Sequence, residues 1–188
     1  MVAADGRWHP GIGDPTVVGW ATAIAYFGAA LLAYRALRQN WTSAQSRERR
    51  LLLGFWASVL CAMSLLGVNK QLDLQSWLTA IGRDLATAQG WFERRREVQI
   101  VFTGVISLLG LGALMSTAVL LRQIIWRVSG ALLGLAFLVT FVVVRAASFH
   151  HVDVLLGSAR VRLNWVLELG GIALVAFSAL RQGTATRT

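Results

Sequence analysis

ALLGLAFLVTFVVV (residues 131–144) runs straight into RAASFHHVD (145–153) and, past residues 154–162, into LNWVLELGGIALVAFSAL (163–180). Two long apolar runs parted by a short polar stretch decide the fold. A helix buried against one side of a soluble protein keeps a polar stripe at 3.6-residue spacing. These runs keep almost none. Crossing the hydrocarbon core takes about 20 mainly apolar residues, with a range of roughly 17–25. Backbone in lipid must satisfy its own hydrogen bonds, so such segments are helical.

The same pattern recurs upstream. Apolar runs cover about 17–37, 51–68 and 98–121, and with 128–145 and 163–180 they predict five spans in one polytopic domain covering residues 1–188. The expected fold is an all-α integral membrane protein, a bundle of five transmembrane helices. Composition agrees: 56% of the 188 residues are hydrophobic and 14% charged, against about 45–50% and roughly 25% in soluble domains. The mean hydropathy is +0.59. Residues 1–16 are polar and lack the basic start and short apolar core of a cleaved signal peptide. The first run is therefore expected to remain as a span.

Between the second and third spans, Leu74, Trp77, Leu78, Ile81, Leu85, Ala88, Trp91 and Phe92 recur every three or four residues. That spacing predicts an amphipathic interfacial helix over about 72–92. Arg94, Arg95 and Arg96 follow it, suited either to anionic headgroups or to solvated pairing with Glu93 and Glu97. Trp20, Trp41, Trp126 and Trp165 fall near span ends, where indoles settle at headgroup level. Trp56 lies inside the second span and is expected between helices. Gly130-x-x-x-Gly134 has the spacing that lets membrane helices approach closely. It reads as an internal seam.

The net charge of +9 and pI near 11.5 do not indicate nucleic acid. The cations flank the apolar runs, as membrane-flanking arginines do. All but Lys70 are arginines, a bias of GC-rich bacterial genomes, and the expected location is a bacterial inner membrane. The lone Cys61 cannot form an internal disulfide. Five spans put the termini on opposite faces. Side A carries loop 35–50, loop 122–127 and the C-terminus. Side B carries the N-terminus, the connection 69–97 and loop 145–162. Each side holds nine cations. The first short loop has five arginines, and Glu48 is the lone acid on side A, so side A reads as cytoplasmic and the N-terminus as outside.

Candidate chemistry gathers on side B. All three histidines, His9, His150 and His151, fall there. His150 and Asp153 share a helix face, as do Asn164 and Glu168. Glu168 lies just inside the fifth run, where an ionisable residue is costly and a functional candidate by default. Arg145, at similar depth on the preceding span, is its expected partner. Asn69, Lys70 and Asp73 close the second span on the same side.

One reading is a membrane-embedded enzyme acting on a lipid or lipid-linked substrate at the non-cytoplasmic interface. His150, His151, Asp153 and Glu168 then do acid–base work, and Arg145, Lys70, Asn69, Asp73 and Asn164 bind substrate, with the cations on an anionic headgroup. His150, His151 and Asp153 also suit a divalent metal such as zinc, which lowers the pKa of bound water to about 7. Against the metal, adjacent histidines diverge on a helix and no His-Glu-x-x-His spacing occurs. A second reading is a non-catalytic subunit or scaffold, associated with other membrane subunits, in which these groups form a structural network. A third is a small transporter using Glu168 as its proton site. No phosphate-binding loop, dinucleotide fingerprint or EF-hand occurs, and Ser148 lacks a Gly-x-Ser-x-Gly elbow.

Overall fold

The computed structural model describes residues 14–41, 46–72, 77, 80–82, 87–88, 95–147 and 153–184. Among them there is no strand. The long helices are α1 (Val17–Trp41), α2 (Arg47–Leu72), α3 (Arg95–Leu120), α4 (Ile125–Ala147) and α5 (Asp153–Thr184). Four stretches are long and apolar enough to cross a membrane: Val17–Trp41, Arg47–Leu72, Ile125–Arg145 and Leu163–Gln182. The chain is a small polytopic membrane protein. In α3 the apolar stretch among the described residues is the shorter Gly104–Leu120, or ~26 Å at 1.5 Å per residue against a core of about 30 Å. The fifth crossing expected over 98–121 is therefore not one of the four. Of the interfacial helix expected over 72–92, the described residues 77, 80–82, 87 and 88 are helical. The remainder lies outside the described residues.

The first two helices begin on side-chain caps. Thr16 Oγ1 accepts from the Gly19 amide at 3.0 Å, and Ser46 Oγ from the Arg49 amide at 3.3 Å. Each satisfies a donor that the first helical turn leaves without an intrahelical partner. α3 and α4 are joined by a tight turn. There the Leu121 amide donates to the Thr117 carbonyl at 2.9 Å, and the Ile124 amide to the Leu121 carbonyl at 2.8 Å. Leu121 and Ile124 are buried, which pins this turn to the bundle.

The helices pack as a row in the order α2, α1, α5, α4, α3. Small residues face large ones in the first pair. Ala23, Ala29, Ala30, Ala33 and Ala36 line the buried face of α1, and Leu52, Phe55, Trp56, Val59 and Met63 that of α2. No hydrophobic force drives helices together in lipid, so close fit between small and bulky surfaces does. Trp56, fully buried, forms an edge-on pair with Phe55 at 5.2 Å, as its place mid-span implied. The indoles expected at the interfaces, Trp20, Trp41, Trp126 and Trp165, are all exposed.

Glycines fix two crossings. A Cβ on Gly67 would sit 3.1 Å from Tyr26 Cβ, which brings the end of α2 against the early part of α1. A Cβ on Gly134 would sit 2.7 Å from the Gly171 carbonyl, and one on Gly130 2.5 Å from Ser178 Oγ. The Gly130–Gly134 motif is thus an internal α4–α5 seam. Both crossings run antiparallel.

Candidate functional site

Helix direction assembles the site. Side chains on a helix lean toward its N-terminus. In α1 and α5 that end lies on side B, and in α2 on side A. Tyr26 and Glu168 therefore lean up toward side B, while Lys70, near the end of α2, leans down into the bundle. They meet. Lys70 Nζ donates to Glu168 Oε1 and Oε2, each at 3.1 Å. Tyr26 OH donates to Glu168 Oε1 at 3.4 Å. Glu168 and Tyr26 are buried, and the Lys70 side chain is 16% exposed. Glu168 sits five residues past Leu163, ~7.5 Å into the span at 1.5 Å per residue.

The pair is not sealed. It forms the floor of a cleft of about 370 Å³ lined by Asp14, Thr16, Val18, Thr22, Lys70, Trp165, Glu168 and Leu169. That volume falls at the lower end of the roughly 300–1,000 Å³ of small-molecule sites. Val18, Trp165 and Leu169 are exposed large apolar residues, which gives the cleft an apolar flank. At the rim, Asp14 Oδ1 accepts from the Thr16 hydroxyl at 2.6 Å. That bond holds the Asp14 carboxyl below the usual carboxylate range, with Lys70 and Arg145 acting in the same direction by charge. Asp14 folds back over the first turn of α1, and its backbone and carboxyl atoms fill the space a Cβ on Gly19 would need. Thr22 donates to the Val18 carbonyl at 2.8 Å, so its hydroxyl retains only acceptor capacity for the cleft.

Two amides on the helices that carry the pair have unmet polar atoms. Both side-chain polar atoms of Gln71 and Oδ1 of Asn164 are enclosed without a hydrogen-bond partner among the described residues. Leaving such a group unsatisfied costs about 1–3 kcal/mol.

Of the residues expected to form a site, the structure brings Lys70 and Glu168 together and places Asn69 and Asn164 on the same two helices. Arg145, expected on Glu168, lies exposed at the end of α4, within electrostatic reach of Asp14. The ion pair seen on Glu168 is Lys70's. Asp73, His150 and His151 lie outside the described residues, as does the Asp153 side chain. Among the described residues no group of three His, Cys, Asp or Glu side chains could hold a metal. Tyr26, Asp14 and Trp165 were not expected in the site. A tyrosine in the middle of the first span and an aspartate just ahead of that span were the available signals.

The chain matches no known protein family, no curated protein and no solved structure.

Proposed function

We propose that this membrane protein takes the headgroup of a lipid or lipid-linked substrate into the α1–α2–α5 cleft, with Lys70 on the headgroup's anionic group and Glu168 as acid–base residue. One observation carries it: a buried carboxylate paired with a half-buried ammonium forms the floor of an open cleft with an apolar flank. Charged groups at membrane depth usually face a cavity or one another. Here they do both. A second reading, a non-catalytic subunit locked by a structural network, is favoured by the double contact of Lys70 with Glu168 and by Tyr26 on the same oxygen.

Five crossings fit the geometry better than four. The antiparallel pairs α1–α2 and α4–α5, joined through α1 and α5, leave Leu72 on side B and Ile125 on side A. The intervening chain must traverse the bundle, and α3, with 26 residues, ends at the side A turn. Side A, where Arg35, Arg38, Arg47, Arg50, Arg122, Arg127 and Arg181 are exposed, faces the cytoplasm of a bacterial cell, and the cleft opens outward.

Native mass spectrometry of the purified protein, with a turnover assay on headgroup-labelled phospholipid, tests this. Wild type is expected to retain a lipid, and Lys70→Met/Glu168→Leu to lose it with helix content intact. Release of soluble label by wild type and not by Glu168→Gln supports catalysis. Retention without turnover leaves the non-catalytic subunit. A wild type that retains no lipid overturns the headgroup site.

A further inference from the structure

We infer that the cleft selects a zwitterionic phospholipid headgroup, holding the phosphate at Lys70 and the ammonium at the Asp14 carboxylate beside Trp165. This rests on the cleft being a headgroup site and names its ligand class.

Depth sets the order of the two charges. Lys70 lies on the floor with Glu168, and Asp14 lies at the rim, ahead of the first turn of α1. A phospholipid has the same order: its phosphate adjoins the glycerol, and its ammonium reaches further out. An ammonium has three donors, so two contacts to Glu168 oxygens leave Lys70 capacity for a phosphate oxygen. Asp14 supplies the one other carboxylate of the lining, and an indole face attracts cations.

Charge balance points the same way. The lining carries one cation, Lys70, and two carboxylates, Asp14 and Glu168, a net formal charge of −1. An anionic lipid would add an uncompensated charge in a low-dielectric site, where isolated charges are costly. A zwitterion adds none. The exposed flank of Val18, Trp165 and Leu169 lets the acyl chains stay in the bilayer, which assigns the zwitterion to a lipid and not to a soluble molecule.

The test is native mass spectrometry of delipidated protein titrated with phosphatidylethanolamine or phosphatidylglycerol of matched chains. Wild type is expected to hold one phosphatidylethanolamine through collisional activation that strips phosphatidylglycerol. Asp14→Asn should weaken that retention about tenfold, as expected for loss of a charge-assisted bond, without changing phosphatidylglycerol adducts. Asp14→Glu should restore it. Phosphatidylethanolamine retention unmoved by Asp14→Asn, or equal loss of both lipids, overturns the selectivity. Displacement by free phosphoethanolamine as effective as by short-chain phosphatidylethanolamine overturns the lipid source. Retention of both lipids in Lys70→Met/Glu168→Leu instead overturns the cleft as a headgroup site.

Discussion

At the scale of residues, Lys70 and Glu168 are not equivalent members of their pair. Lys70 lies two residues from the end of α2, and a long aliphatic stem lets an ammonium swing toward the interface. Glu168 is buried a turn and a half into its span and has no such escape. Breaking a buried pair costs about 3–5 kcal/mol because the remaining charge is stranded. Lys70→Met should therefore lower thermal stability in detergent more than Glu168→Gln does. Lys70→Met/Glu168→Leu should recover most of either loss, because two apolar groups leave no charge behind. Equal losses in the single variants, or a double variant worse than both, would contradict this account. Tyr26→Phe removes one long hydrogen bond and should cost about 1 kcal/mol or less. The depth of Glu168 was readable in the sequence, since a carboxylate within an apolar run has one meaning. Its partner was not. Arg145 and Lys70 both lie near side B ends of spans, and which one meets Glu168 depends on how α5 is rotated and which helices adjoin it.

At the scale of elements, glycines separate seams from lipid-facing surface, which composition alone does not. Gly134 and Gly171 each press on the other's carbonyl, whereas among the described residues a Cβ on Gly28, Gly54, Gly104 or Gly112 would have no neighbour within 4 Å. Gly134→Val should wedge α4 from α5 and cost about 1–3 kcal/mol, the usual range for overpacking. Gly112→Ala meets open space among the described residues and should be neutral or stabilising by up to about 1 kcal/mol through helix propensity. Thermal unfolding followed by circular dichroism reads both, and a large loss at Gly112 would show that its face is packed. Gly130-x-x-x-Gly134 announced a close contact by its spacing. Gly67, alone and without a spaced partner, announced nothing, yet it is where α2 closes on Tyr26 and so positions the hydroxyl that reaches Glu168.

At the scale of the whole molecule, apolar length made the four crossing helices legible before any contact was known, because a bilayer imposes a minimum length that few other environments do. Row order was not legible. Pairing α1 with both α2 and α5 brings the first, second and last crossings around one cleft, and sequence distance gives no hint of it. That pairing also fixes parity. The α3–α4 turn must lie on the same face as the α1–α2 connection if α3 crosses. In a Cys61→Ala background, Ser46→Cys and Gln123→Cys should then react alike with a membrane-impermeant thiol reagent, and Thr16→Cys oppositely. With side A in the cytoplasm, only Thr16→Cys labels in intact cells. Labelling of Ser46→Cys and Gln123→Cys from opposite faces would remove α3 as a crossing. Labelling of both from outside would keep five spans and invert the protein, placing the Lys70–Glu168 cleft in the inner leaflet, where the lipid offered to it differs.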